Sequence, residues 1–301
     1  MTHFKHKFLH VFCGMLLCMA PVQSLRADSW ALPSVATIRS ENGAFELVIT
    51  PASNKGPTSA ILRKKQGEFS TSLWEARLVN KVAPVSAKVT DSGRYVVTFD
   101  EWHSVGEKPV VIYGEGGRLI AELSLADLNL ERHPNISRSV SSYWWDEHAI
   151  MLFGPLAEKG GEPWQQTLED SLFMRLYWGE VIAIDLASGK LRNDQWRTAS
   201  TKAQRDKLQK VTATYLAATW HRLASEYLRK VSFEPDPSYN GVTGILLAGQ
   251  LRLREALPLL RELAATGRFG GWAAPRWKGA GNVQELAKVA LAEIEGSGQK
   301  P

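Results

Sequence analysis

The chain has 301 residues, 44% of them hydrophobic, and carries 36 Lys and Arg against 31 Asp and Glu, a formal net charge of +5. Its two cysteines, Cys13 and Cys18, both lie within the first 27 residues. If that segment is removed, a disulfide framework, a cysteine-ligated zinc site and a cysteine nucleophile are all excluded.

Residues 1 to 27 have the three parts of a secretory signal: a basic start at Lys5 and Lys7, an apolar run from Phe8 to Ala20, and a small-residue end at Ala27, with Ser24 as the alternative cleavage point. The run is shorter than the roughly 20 residues a helix needs to cross a bilayer, and no later stretch is apolar for that long. We therefore expect export, most simply to a periplasm, with no membrane span after signal removal. Phe12 and Leu17 precede the two cysteines, which disfavours a lipid anchor. The leader holds Lys5, Lys7 and Arg26 and no acid, which leaves 33 cations against 31 acids, a net charge of +2. The sequence pI of about 9.1 is accordingly a poor argument for a nucleic-acid partner.

From residue 28 to about 197 the grammar is that of strands and turns. The stretch "AFELVITP" alternates and ends in a turn cluster, and "SAILRKK" and "TSLWEARLVN" follow. Then "APVSAKVTDSGRYVVTFD" runs two strands across a turn at Asp91, Ser92 and Gly93. The segment "KPVVIYGEGGRLIAELSL" reads as a hairpin whose glycines supply positive φ, and "GEVIAIDLASGKLRN" is a weaker echo of it. The pattern over residues 89 to 125 resembles a β-propeller blade, in which a D-x-G turn leads to an inner strand and a second glycine turn to an outer one. The resemblance implies a blade-like sheet assembly. Some 170 residues barely supply the four blades a closed ring needs, so an irregular propeller is expected, with a two-sheet sandwich as the alternative.

At about residue 198 the period changes. "TKAQ", Thr201 to Gln204, has the form of a capping box. Leu208, Val211, Tyr215, Trp220, Leu223 and Tyr227 then keep helical spacing as far as "EPDP". Three further helices are expected at "VTGILLAGQLR", "REALPLLRELAATG" and "NVQELAKVALAEIEG". Residues 241 to 295 resemble a HEAT-type helical repeat on "LLAGQLRLREALPLLRELA", with Pro258 in an opening turn where a missing amide proton costs nothing. The resemblance implies an interaction scaffold. The chain departs from it at "RFGGWAAPRWKGAG", where a brief connection belongs. A repeat and a half is too little to stand alone and should lean on the β-region. The fold class expected is thus α+β in two parts after a 1–27 signal: a blade-like domain over 28–197 and a helical domain over 198–301.

Two clusters invite a chemical reading. In an extended strand Glu101 and His103 would share one face and Asp100 and Trp102 the other, so a carboxylate and an imidazole could orient each other or bind a divalent metal. Asp146, Glu147 and His148 would complete the site if the fold brought both segments together. This is the enzymatic alternative, an acid/base or metal-assisted hydrolase using Asp100, Glu101, His103, Glu147 and His148, with Asp100, His103 and His148 as the metal candidates. The competing reading has these side chains tying strands and loops together. His133 and His221 stand alone. Ser104 lacks a G-x-S-x-G elbow, and "GEGG" sits in a hairpin turn rather than between a strand and a helix, so no phosphate or cofactor motif is present and no cofactor is expected.

Eleven tryptophans are many for this length. Trp144 and Trp145 are adjacent, so in a strand they point opposite ways and one should face solvent or another domain, which makes a sugar ring a conceivable ligand. The insertion mixes Phe269, Trp272 and Trp277 with Arg268 and Arg276, the residue types binding hot spots favour. We expect a non-catalytic envelope protein that holds a protein or envelope partner through Arg268, Phe269, Trp272, Arg276 and Trp277; nucleic acid is an unlikely partner for an exported chain.

Overall fold

Three antiparallel sheets, each a run of neighbouring strands, follow one another along the chain and lie face to face. The computed structural model describes residues 31–139, 144–154, 168–192, 214, 216–229, 239–268 and 273–296, of which 146–149, 239–241 and 273–276 are described by backbone alone. The capping box at 201–204 and residues Leu208, Val211 and Tyr215 lie outside them. The first sheet comprises β1 (Ala36–Arg39), β2 (Phe45–Thr50), β3 (Ser59–Gln66) and β4 (Phe69–Arg77) in chain order. The second comprises β5 (Ser86–Val89), β6 (Val96–Phe99), β7 (Val110–Tyr113) and β8 (Leu119–Leu123), again in chain order. The third is β9 (Trp145–Phe153), β10 (Ser171–Leu176) and β11 (Val181–Asp185). Three such meanders bear out the blade-like reading and are one sheet too many for a two-sheet sandwich.

The sequence of each strand matches its layer. In β2, Phe45, Leu47 and Ile49 alternate inward while their neighbours stay partly exposed, the pattern of a sheet with one covered face. In β6 (VVTF) and β7 (VVIY) every residue is buried, because the second sheet is covered on both sides. One face sends Val89, Val96, Val111 and Tyr113 against Phe45, Leu47, Leu62 and Trp74 of the first sheet. The other sends Val97, Phe99, Val110 and Ile112 against Ile150, Leu172, Met174, Ile182 and Ile184 of the third.

A turn repeats fifty residues apart. Ser40 to Phe45 (SENGAF) and Thr90 to Tyr95 (TDSGRY) make the same bonds. The hydroxyl residue's N–H donates to the aromatic residue's carbonyl at 3.0 Å in both. The aromatic N–H donates back to the hydroxyl oxygen at 2.9 and 3.0 Å, and the glycine N–H closes the turn. Gly43 and Gly93 have φ of 71° and 69°, a conformation that favours glycine. Gly93 is needed twice over, since a Cβ there would stand within 2.4 Å of the Phe45 ring. The two turns also join: Asn42 donates its backbone N–H to Asp91 Oδ1 at 2.8 Å and its side-chain amide to the Asp91 carbonyl at 3.1 Å.

Beyond the third sheet come the helices: α1 (216–229), α2 (Tyr239–Leu251), α3 (Leu257–Thr266) and α4 (Val283–Gly296). Trp220 and Leu216 of α1 cover Phe173 and Ala183 of the third sheet. The chain is therefore α+β, with sheets first and helices after. Pro258 sits in the first turn of α3 and Gly267 ends it in the left-handed conformation. On α2, a Cβ at Gly244 would meet the α1 backbone at Leu228 N, 2.9 Å away, and one at Gly249 would meet Ala290 of α4 at 2.8 Å. These two missing side chains let α2 press against both neighbours. No described helix is long and apolar enough to cross a membrane.

The insertion between α3 and α4 is not a loosened loop. Its described part is a β-hairpin, β12 (Ala273–Trp277) and β13 (Ala280–Asn282), turning through Lys278 and Gly279 at φ 49° and 88°. Trp277 is 4% exposed and packs among the α2 and α4 side chains. It is a core residue, contrary to the expectation of an exposed contact. Trp277→Ala should lower unfolding stability by about 3–5 kcal/mol, measured by denaturant titration; a loss below 1 kcal/mol would contradict its placement in the core.

Candidate functional site

Residues 100 to 104 do not continue β6. Asp100 and His103 take positive φ, 53° and 77°, and the Glu101 and Ser104 backbones bond each other in both directions at 3.0 Å. This is a two-residue turn with Trp102 and His103 at its tip, so the alternation expected of an extended strand does not hold. Two positive-φ residues without glycine in so short a span are held by their surroundings. Asp100 N–H donates to the Pro109 carbonyl and Trp102 N–H to the Ala83 carbonyl, each at 2.8 Å.

Both carboxylates of the turn are engaged. Asp100 is 1% exposed, and the Trp144 indole N–H donates to its two oxygens at 3.1 and 3.3 Å. Glu101 accepts four backbone N–H groups: Lys81 at 2.8 Å on Oε2, and Val82, Ala83 and Trp102 at 3.0, 3.1 and 3.3 Å on Oε1. A carboxylate holding four amides is the anchor of the connection between the first and second sheets. His103 lies edge-on to Trp102, ring centres 5.8 Å apart.

The two indole-rich segments do meet, but in the interior. Trp144 precedes β9, so strand alternation does not separate it from Trp145. Both are 1% exposed in the same core, with ring centres 6.5 Å apart at 90°, and Trp145 lies 5.2 Å from Phe99. The expectation that one of them faces solvent or another domain is corrected, and neither offers a stacking surface to a sugar. Glu147 and His148 fall in an irregularity of β9, where five steps from Trp145 to Ile150 stand against two from Leu176 to Met174 on β10. Their side chains lie outside the described residues. Among the described residues no group of three or more His, Cys, Asp or Glu is placed to hold a metal ion. Of the isolated histidines, His133 stacks on Trp178 with ring centres 3.8 Å apart.

Beside the turn lies a cleft of about 370 Å³, lined by Asn80, Lys81, Glu101, Glu107, Lys108 and Arg138 among others. Its polar groups are largely committed: Lys81 pairs with Glu107 at 3.2 Å, Arg138 with Glu131 at 3.6 Å, and the Asn80 amide donates to the Asp100 carbonyl at 2.9 Å.

A second cluster, which the sequence reading missed, joins the second and third sheets. Arg94 reaches Asp170 at 3.8 Å and Glu115 at 3.5 Å, and Arg192 reaches Asp185 at 3.5 Å and the Glu169 carbonyl at 2.6 Å. Burial raises the Asp170 carboxyl above its ordinary value against the pull of Arg94 and of a hydrogen bond from Tyr95. The same loss of water pushes Arg192 down and Tyr95 up. These residues come from separate segments, and no local spacing announces them. At the seam with the helices, Arg175 donates to Gln250 at 2.8 Å and lies 5.0 Å over the Trp220 ring, its guanidinium lowered to about 10 by burial. Of the expected partner contacts, Arg268 pairs with Glu262 at 3.2 Å, Trp277 is internal, Arg276 is described by its backbone in β12, and Phe269 and Trp272 lie outside the described residues.

No protein-family model matches the chain, and no curated protein matches it. Among solved structures it is similar to one described as the crystal structure of the C-terminal WD40 domain of Sif2, at 9% identity and a TM-score of 0.27, over 54% of this chain and 39% of that one. A likeness at that score carries no argument; the blade-like reading rests on the sheets themselves.

Glu101→Ala should cost about 2–4 kcal/mol of stability, because it strips several backbone amides of their acceptor, and Glu101→Asp should not restore it; a near-neutral effect on chemical unfolding would contradict the anchoring role. Asp170, whose folded value lies above the ordinary 3.8, favours folding when protonated and loses that advantage as pH rises through the raised value. Asp170→Asn keeps a residue tolerant of φ 50°. It should raise the melting temperature at neutral pH and make no difference in acid below the ordinary Asp value; the opposite trend would contradict the burial cost.

Proposed function

We propose that the chain is an exported, non-catalytic binding protein of the cell envelope, periplasmic after loss of residues 1–27, which holds a protein or another envelope component through its helical end. The observation that carries this reading is the state of Asp100 and Glu101. One carboxylate is sealed on an indole N–H and the other holds four backbone amides, so these two of the five residues considered for acid/base or metal chemistry serve the fold. The HEAT-type resemblance over 241–295, a class of interaction scaffolds, supports the same reading. Within it Trp277 props the β12–β13 hairpin from inside, and contact falls to Arg268, Phe269, Trp272 and Arg276.

Two measurements test the reading. Fractionation of expressing cells should recover the chain in the periplasm with an N-terminus at Asp28 or Leu25; an intact Met1 in the cytosol would overturn export. A photo-cross-linking residue at position 268 should capture one defined envelope component, with capture lost in a Phe269→Ala, Trp272→Ala double variant of unchanged melting temperature. Capture that persists in that variant would remove the helical end as the binding surface.

A further inference from the structure

Arg175 puts a cation on an apolar sheet face. On β10 it shares with Phe173 the face that α1 covers, and its cross-strand neighbour on β11 is Val181. The residue is half-buried. Its Nε donates to Gln250 at 2.8 Å, the Gln250 amide donates in turn to the Tyr177 carbonyl, and the guanidinium carbon sits 5.0 Å over the Trp220 ring.

No negative charge balances it. Buried cations are ordinarily paired, and Arg192, which burial also moves down, has Asp185 and Asp170 pulling it back up. Burial alone acts on Arg175. Among the described residues no carboxylate pairs with it and nothing accepts from its two outer nitrogens. The ring beneath it adds to the surplus of donors: Trp220 is 3% exposed, and its indole N–H finds no acceptor among the described residues. Because Gln250 holds Nε, the edge of the guanidinium left to a ligand is the fork of Nη1 and Nη2, which matches the two oxygens of a carboxylate. The surroundings are apolar, since Val181, Leu223 and Leu251 pack, only partly buried, against the cluster that holds Trp220.

We propose that Arg175 anchors a binding site for a monocarboxylate with a hydrocarbon tail, the two oxygens on its outer nitrogens and the tail along Val181, Leu223 and Leu251. A neutral headgroup leaves the cation unbalanced, and a bare oxyanion leaves the apolar surface unused. Charge and tail are therefore both required of the ligand. The site does not involve the contact residues assigned to the helical end, so either reading can fail without the other.

Scanning calorimetry of the full chain at constant ionic strength, with sodium octanoate as the probe, tests the site. Octanoate should raise the melting temperature saturably. Octanol, which has the same tail without the charge, and inorganic phosphate, which has charge without a tail, should leave it unchanged. Arg175→Met should abolish the octanoate shift, and Arg175→Lys, which keeps the charge but not the fork, should lose most of it. The comparison of the three probes needs only the wild-type chain and so holds even where a variant fails to fold. A wild-type chain with no saturable octanoate shift, an equal shift with octanol or phosphate, or a shift that survives in Arg175→Met would each overturn the proposal.

Discussion

The structure depends on covering the second sheet from both sides. Its inner strands, VVTF and VVIY, hold eight residues that are all buried, and a sheet of that composition has no face it can show to water. The first sheet covers one side and the third the other. The third then presents its own far face, which α1 closes with Trp220 and Leu216. Each layer exists because its neighbour leaves an apolar surface needing cover, until the stack ends in a polar sheet face on one side and helices on the other.

Much of this was legible because it is local. The alternation in β2, the turn at Asp91–Gly93, the hairpin through Gly116 and Gly117 and the three C-terminal helices all follow from short-range periodicity and turn chemistry. What escaped was nonlocal or depended on where a strand stops. The turn at 100–104 was hidden because Asp100 and His103 take left-handed backbone without glycine, a conformation no residue type announced. Trp144 and Trp145 were misplaced because alternation holds inside a strand, and β9 begins only at Trp145. The hairpin at 273–282 was obscured by its glycines, which suggest looseness but include the turn residue Gly279. The Arg94–Asp170–Asp185–Arg192 cluster draws on two sheets and has no sequence signature.

Asp100, Glu101 and the indoles of Trp144 and Trp145 illustrate why residue type alone decides little about chemistry. Asp, Glu, His and Trp within four positions would suit a catalytic site, and the same groups suit a buried junction where strands, a turn and a connection must be satisfied at once. Distance and burial separate the two readings. A carboxylate already surrounded by donors has little capacity left for a proton or a metal.

The Glu101 anchor bears on the neighbouring cleft. Three successive amides, 81 to 83, converge on one side chain, forming a small anion-holding concavity that the chain fills with its own ligand. Lys81 on one wall and Glu101, Ser104 and Gly106 on the other are thereby fastened into one piece. On that side the width of the cleft is set by backbone bonded to Glu101, so selectivity there would come from shape and preplaced charge.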